Sequence, residues 1–163
     1  MIRHFTSSGY IVWQSQVLLH WHEKVGSWLP PGGHIELNED PAQAVLREIK
    51  EEVDLDVEIC STSDKLDFAY PLAVPRPEYL LIENIDDPIE GAHQHIDMIY
   101  FCSPLGDPLQ ANNQCIWLTK EDLENDRSFP NPAMVSSSPP PDVSALALKA
   151  LRLVGNMSQL EWK

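Results

Sequence analysis

Residues 32–55 of the chain read GGHIELNEDPAQAVLREIKEEVDL, and this stretch contains the clearest helix signal in the sequence. Asp40 suits the N-cap, Pro41 suits the first helical position, and Gln43 stands where a capping box requires it. Apolar residues then recur at the i, i+3, i+4, i+7 spacing of one buried stripe, namely Ala42, Val45, Leu46, Ile49 and Val53. The stretch predicts a helix from Asp40 to Val53 that packs on a core.

The same helix carries three glutamates, Glu48, Glu51 and Glu52, on one face. At ~100° per residue their side chains lie within an arc of about 100°. Carboxylates that close repel one another, and a hard divalent cation such as Mg²⁺, which binds oxygen ligands, removes the conflict. The alternative is a solvated helix face on which Arg47 pairs with Glu51 at i, i+4.

The charged residues and glycines around this helix follow a fixed spacing. Five residues separate Gly33 from Glu39, seven more precede Arg47-Glu48, and Glu51-Glu52 follow. This array resembles the Nudix box of the Nudix hydrolases over the 23 residues from Gly33 to Leu55. The flanking segments 28–33 and 117–123 also resemble that family.

One position departs from the family pattern. Asp54 stands where the Nudix box has its second glycine, at the end of the helix. Aspartate can adopt the left-handed C-cap conformation, although less easily than glycine. We therefore expect the turn to be kept, and no metal ligand is lost.

The resemblance implies an α/β fold, in which a Nudix-like mixed β-sheet is sandwiched between helices (α/β/α) in a single domain spanning 1–163. It implies metal-dependent hydrolysis of a nucleoside diphosphate linked to another moiety, with Mg²⁺, or alternatively Mn²⁺, as cofactor. The competing interpretation is a non-catalytic nucleotide-binding module that keeps the fold. Substrate identity stays open between a nucleoside triphosphate and an ADP-sugar.

The resemblance also assigns site residues. The implied metal ligands are Glu48, Glu51, Glu52 and the backbone carbonyl of Gly32, and Glu52 is the candidate nearest the nucleophile. Arg47 is implied to pair with Glu39 and to hold the loop against the helix. The general base is not assigned, and Glu83 and Asp97 are the candidates outside the box.

Other candidate residues lie outside the box. His93, His95 and Asp97 alternate along a predicted strand, so they share one face. We predict that they contact substrate, while additional metal ligands, a proton acceptor or a polar strand end remain alternatives. Trp28 is a candidate for stacking on a nucleobase, whereas Tyr10 and Phe5 are expected in the core.

Strand signals surround the helix on both sides. The predicted strands are 9–13, 17–21, 55–59, 66–70, 79–82, 96–102 and 114–118. Thr119 is expected to cap a short helix, residues 128–142 to form a Pro/Ser-rich loop, and residues 144–155 to form a C-terminal helix. Helices and strands interleave without regular βαβ alternation, which predicts a mixed sheet.

Composition narrows the classes of partner. The 163 residues include 25 acidic and 11 basic side chains, for a net charge of −14, and 43% belong to the apolar set. This balance argues against nucleic-acid polymers and anionic membranes. The resemblance implies a nucleotide-type small-molecule substrate, and a divalent metal ion is the candidate that would mediate its binding to so acidic a chain. Three widely spaced cysteines and the absence of a secretory signal predict a cytoplasmic protein. A homodimer is left open.

Overall fold

The computed structural model describes residues 1–61, 69–108 and 114–158 of the chain. The elements, in chain order, are β1 (Arg3–Trp13), β2 (Gln16–His22), β3 (Ser27–Leu29), β4 (Gly32–His34), α1 (Pro41–Val53), β5 (Val57–Ile59), β6 (Tyr79–Asp87), β7 (Gly91–Pro104), β8 (Cys115–Thr119), α2 (Lys120–Glu124), β9 (Phe129–Pro130), β10 (Ser136–Ser137) and α3 (Pro141–Ser158).

Helix α1 begins and ends as predicted. The Asp40 carboxylate accepts from the Gln43 amide at 2.9 Å, and the Gln43 side chain accepts from the Asp40 amide at 3.0 Å, which completes the capping box. Asp54 takes the left-handed C-cap conformation with φ 56° and ψ 36°. Local hydrogen bonding therefore sets both ends of the helix.

The apolar stripe of α1 packs against the backbone of β1. A Cβ on Gly9 would lie 2.6 Å from Ile49 Cδ1 and 2.9 Å from Val45 Cγ2, so the helix leaves no room for a side chain there. The inclusion of Leu46 in this stripe was wrong, because its side chain is 37% exposed. Leu46 lies at the edge of a stripe that is centred on Val45 and Ile49.

Strand β1 lies at the centre of a mixed sheet. One edge of β1 pairs in parallel with β7, from Arg3–Gln94 to Ile11–Cys102. Its other edge pairs antiparallel first with β4 and then with β2. Strands β3 and β8 extend the sheet from β2, and β5 and β6 extend it from β7, so that eight strands of the described chain form one sheet.

The two faces of the sheet carry separate apolar clusters. The α1 face includes Ile11, Leu18, Val45, Ile49, Val53 and Tyr100. The opposite face includes Tyr10, Val12, Leu19, Phe101, Ala147, Ala150 and Val154, the last three from α3. Helix α2 packs against α3 on that side. The predicted α/β/α layering is confirmed.

Some predictions for the strands and aromatic residues are revised. Tyr10 is buried at 1% exposure, as expected, whereas the core position predicted for Phe5 was wrong because it is 53% exposed. The Ser7 hydroxyl donates to the carbonyl of Pro41 at 2.8 Å, so α1 starts over Ser7 and does not reach Phe5. The strand predicted at 66–70 lies largely outside the described residues, and its last two positions form no strand.

The C-terminal region also differs from prediction. Helix α3 begins three residues before the predicted start, because Pro141 suits a first helical turn and Asp142 is favourable near a helix N-terminus. The predicted loop 128–142 contains the short antiparallel pair β9–β10. The Thr119 cap of α2 is present, with Asp122 as its capping-box partner.

Candidate active site

The loop at β4 approaches the C-terminal half of α1 through two glycines. The Gly32 amide donates to Oε2 of Glu52 at 2.9 Å. A Cβ on Gly33 would lie 2.5 Å from Oε1 of Glu48, a separation that real side chains do not tolerate. The absence of a side chain at Gly33 thus lets the Glu48 carboxylate lie against the loop, whereas a Cβ on Gly32 would clash with Ser7 and Ser8 of β1.

Arg47 joins the loop to the helix. Its Nε and Nη2 atoms donate to the two carboxylate oxygens of Glu39 at 2.6 and 3.0 Å, the bidentate arrangement that guanidinium favours. Its Nη2 also donates to the carbonyl of His34 at 3.1 Å. Arg47 lowers the pKa of Glu39 by hydrogen bonding. The expected pairing of Arg47 with Glu39 is present.

The same guanidinium also partly neutralises the glutamate cluster. Its Nη1 donates to Glu48 at 2.7 Å and to Glu51 at 3.2 Å. The three glutamates differ in accessibility, because the side chains of Glu48, Glu52 and Glu51 are 15%, 24% and 59% exposed. Glu48 and Glu52 therefore line the interior of the site, and Glu51 lies at its solvent edge.

Burial and like charge act together on Glu52. Its pKa is raised to about 7, first by burial and then by Glu48 and Glu51, against the opposing hydrogen bond from Gly32. The ionised form of this carboxylate is therefore disfavoured in the absence of a cation. The cluster brings together oxygen donors with excess negative charge, which is the chemistry that suits Mg²⁺ or Mn²⁺.

His20 is a site residue that sequence reasoning did not single out. It is buried, and its Nε2 lies 3.3 Å from Oε2 of Glu52 without forming a hydrogen bond to any described group. Burial, followed by the charge of His22, lowers the pKa of His20 to about 4, so the imidazole is neutral. The available signal was its position two residues after Leu18 on the same strand, because such residues share a face and Leu18 faces α1.

Two predicted substrate contacts are buried in the fold. Trp28 is 2% exposed and packs edge-on against Trp21, so although it borders a depression of about 380 Å³ its ring has no open face. Asp97 is 4% exposed, and it accepts hydrogen bonds from the hydroxyls of Thr6 and Ser8 at 2.9 Å each. The predicted contacts from Trp28 and Asp97 are therefore not supported, because both side chains are enclosed.

The remaining candidates lie on the face of the sheet opposite α1. His93 and His95 share that face with Asp97, as the alternation predicted, and they lie beside His4 of β1. Glu83 is opposite His95 on β6, and burial together with the charges of Asp97 and Asp142 raises its pKa to about 7. Its role as general base stays a prediction.

The comparison with known proteins agrees with the geometry of the loop and helix. The family profile of the NUDIX domain matches residues 3–136. The chain belongs to the Nudix family. None of the described helices is long and apolar enough to cross a membrane.

Several Nudix proteins resemble the chain. A Nudix-family hydrolase from Clostridium perfringens superposes with a TM-score of 0.74 at 30% identity, covering 94% of this chain and 99% of that one. An ADP-ribose pyrophosphatase from Streptococcus suis superposes with a TM-score of 0.53 at 20% identity, over 91% and 92% of the two chains, which shows a shared fold. An 8-oxo-dGTP diphosphatase from Proteus vulgaris is 46% identical over 46 residues, 28% of this chain and 41% of that enzyme. The match thus spans less than half of that enzyme.

Proposed function

We propose that the chain is a metal-dependent pyrophosphohydrolase that cleaves a nucleoside diphosphate linked to another moiety. The observation that carries the proposal is the packing of Glu48 and Glu52 against the glycine loop. Glu48, Glu51, Glu52 and the carbonyl of Gly32 would hold Mg²⁺ or Mn²⁺. Such an ion, when bound, neutralises phosphate charge and lowers the pKa of water.

Residues of the chain itself hold this arrangement in place. Arg47 fixes the loop to the helix through Glu39 and the carbonyl of His34. The Gly32 amide orients the Glu52 carboxylate, which we assign as the group nearest the attacking water. Neutral His20 packs beside the same carboxylate, with its Nε2 3.3 Å from Oε2 of Glu52.

The overall charge supports a role for a cation. A chain of net charge −14 repels a polyphosphate at long range, so substrate binding requires local positive charge. Within the described site Arg47 is already committed to three carboxylates and a carbonyl. Glu48, Glu51 and Glu52 would supply the missing positive charge by holding a divalent ion.

The substrate classes to test follow from the relatives. The 8-oxo-dGTP diphosphatase and the ADP-ribose pyrophosphatase suggest nucleoside triphosphates and ADP-sugars. A panel of 8-oxo-dGTP, dGTP, ATP and ADP-ribose should be incubated with the chain in Mg²⁺, in Mn²⁺ and in EDTA, and the products separated chromatographically. Metal-dependent release of a nucleoside monophosphate is expected.

The same panel addresses the non-catalytic alternative. Nucleotide binding measured by calorimetry, combined with no turnover in either metal, would favour a binding module. Turnover that persists in EDTA would instead contradict the metal assignment. The complete set of Glu39, Arg47 and the three glutamates argues for catalysis, since a binding module needs no such cluster.

We also propose that the chain functions in the cytoplasm. Its three cysteines all lie in described parts of the chain and none forms a disulfide, which fits a reducing compartment. Whether the chain forms a homodimer stays open, and size-exclusion chromatography with light scattering would test it. Fractionation that placed the protein in an oxidising compartment would contradict the location.

A further inference from the structure

Four histidines, His4, His34, His93 and His95, lie together at one end of the sheet. His4 is the parallel partner of His95 in the β1–β7 ladder, and His34 lies on β4 at the other edge of β1. The ring centroids of His4 and His93 are 4.8 Å apart, those of His93 and His95 5.1 Å, and those of His34 and His95 5.0 Å.

This cluster is separate from the glutamate site. Tyr10 and Phe101 face α3, and His4 and His95 each lie six residues before them, so the two histidines point to the same face of the sheet. Glu48 and Glu52 belong to α1 and pack on the other face. The histidine cluster is therefore a separate group of side chains of the metal-ligating type, apart from the glutamates.

The tautomer of His93 is determined by its surroundings. Its Nδ1 lies 2.8 Å from the carbonyl oxygen of Gly91, which can only accept, so Nδ1 carries the proton. Gly91 presents this carbonyl from a turn in which its φ is +77°. In this tautomer Nε2 carries a lone pair, which can accept a hydrogen bond from His95 or bind a metal ion. A backbone carbonyl on the far nitrogen is the usual support of a metal-binding histidine.

The lone pair of His93 points toward a second imidazole. Nε2 of His93 and Nε2 of His95 are 3.2 Å apart. Two nitrogens bound to a tetrahedral Zn²⁺ ion at about 2.0–2.1 Å would be separated by roughly 3.3–3.4 Å. The observed separation thus matches that of two ligands on one ion, and His93 is only 4% exposed, which fixes its position.

His4 completes a set of three. One ring nitrogen each of His4, His93 and His95 can be chosen so that all lie within 4.8 Å of one another. The His4 side chain is 32% exposed, so its ring has room to adjust. Oε2 of Glu90 lies 3.9 Å from Nδ1 of His4 and 4.0 Å from Nε2 of His93, where it can supply a fourth ligand.

We propose that His4, His93 and His95 bind a divalent transition-metal ion of the Zn²⁺ type, distinct from the ions assigned to the glutamates. Imidazole nitrogen suits Zn²⁺ and Co²⁺ and is a poor ligand for Mg²⁺. A surface depression of about 400 Å³ bordered by His4, His34 and Glu90 provides access. The bound ion cross-links β1 to β7 and stabilises the native sheet.

An anion is a less suitable occupant of this cluster. Burial, followed by the charges of His34, His93 and His4, lowers the pKa of His95 to about 4. An uncharged imidazole offers a lone pair to a metal ion but gives little attraction to phosphate. Glu90 lies at the rim of the cluster and would repel an anion.

Metal titration of the full, tag-free chain tests the proposal. The chain should carry Glu48→Gln/Glu52→Gln, so that the carboxylate site is removed and only the histidine cluster is measured. We expect one Co²⁺ ion per chain, with the visible absorption of a four- or five-coordinate nitrogen site, and one Zn²⁺ ion by calorimetry. Adding His4→Gln/His95→Gln should weaken the affinities for Co²⁺ and for Zn²⁺ by about 100-fold or more.

The controls separate this site from general metal binding. His22→Gln removes a histidine outside the cluster and should leave the titrations unchanged. If the double histidine variant does not fold by circular dichroism, His4→Gln alone decides, because that side chain is partly exposed. Unchanged Co²⁺ affinity in the folded variant, or no binding at one equivalent in the parent, would overturn the proposal. The result does not depend on hydrolase activity.

Discussion

The backbone amide of Gly32 donates a 2.9 Å hydrogen bond to Oε2 of Glu52, twenty residues further along the chain. This contact links the glycine loop directly to the most strongly perturbed carboxylate of the site. Oε1 of Glu48 lies 2.5 Å from the position that a Cβ of Gly33 would occupy. The positions of the two glutamates therefore depend on the loop as much as on the helix.

Glu52→Gln should nearly abolish turnover while the fold is kept. The amide retains volume and an oxygen that can accept from Gly32, but it removes the negative charge that a divalent ion requires. We expect turnover to fall by about 100-fold or more, since losing a metal ligand costs at least as much activity as losing a group that hydrogen-bonds to that ligand. Steady-state kinetics would measure this, with the exposed Glu124→Gln as control. Activity within a few-fold of the parent would contradict the assignment.

Gly33→Ala should impair activity more than stability. The new methyl group would lie 2.5 Å from Glu48 Oε1, which is the end of a flexible side chain and can move away. We expect the free energy of unfolding to fall by about 1 kcal/mol, the low end of the range for overpacking substitutions. Turnover should fall by more than this loss of stability explains, because Glu48 is displaced. Gly106→Ala, where no described atom lies within 4 Å, is the control. Equal activity in the two variants would argue against a precise position for Glu48.

Arg47→Ala should lower activity and stability together. The substitution removes the bidentate donor of the Glu39 carboxylate and the side-chain donor of the His34 carbonyl, and it reduces the compensation of Glu48 and Glu51. We expect a loss of about 1–3 kcal/mol in urea unfolding. Arg47→Lys should recover little of the lost activity and stability, because an ammonium group cannot form the bidentate hydrogen bonds of a guanidinium. The exposed Arg152→Ala is the control, and an activity loss at full stability would instead place Arg47 on the substrate.

Mg²⁺ should raise the melting temperature of the chain. An ion present at 100 times its dissociation constant stabilises the native state by about 2.7 kcal/mol if the unfolded state does not bind it. For a chain of this size that amounts to roughly 5–10 °C. Differential scanning fluorimetry should show the shift in the parent and in His4→Gln/His95→Gln, and not in Glu48→Gln/Glu52→Gln. A shift that survives in the glutamate variant would place Mg²⁺ elsewhere.

Asp122→Asn should change how stability depends on pH. The Asp122 carboxylate accepts from the Thr119 hydroxyl and amide at 2.6 and 2.9 Å and from Arg127 at 2.8 Å, which lowers its pKa. A carboxylate whose pKa is lower in the folded state stabilises that state above about pH 4, and this contribution is lost as pH falls through the folded-state pKa. Urea unfolding should therefore show a difference between parent and variant at pH 6 that shrinks at pH 3. A constant difference would mean that the carboxylate charge does not matter.

The sequence by itself determined helix α1 and the spacing of its charged residues. The capping box of Asp40 and Gln43 and the left-handed Asp54 involve hydrogen bonds between residues three or four positions apart, so nearby side chains decide them. The spacing of Arg47 and the glutamates follows from helical periodicity. The family resemblance rested on the same local pattern, which is why it held.

Tertiary structure alone decided the contacts between distant strands. His4 joins His93 and His95 because β1 and β7 pair in parallel, and His20 meets Glu52 because β2 lies under α1. Thr6 and Ser8 enclose Asp97 for the same reason, and the point at which α1 begins leaves Phe5 exposed. Register between strands about 90 residues apart depends on how the whole core packs, and no local hydrogen bond or periodicity records it.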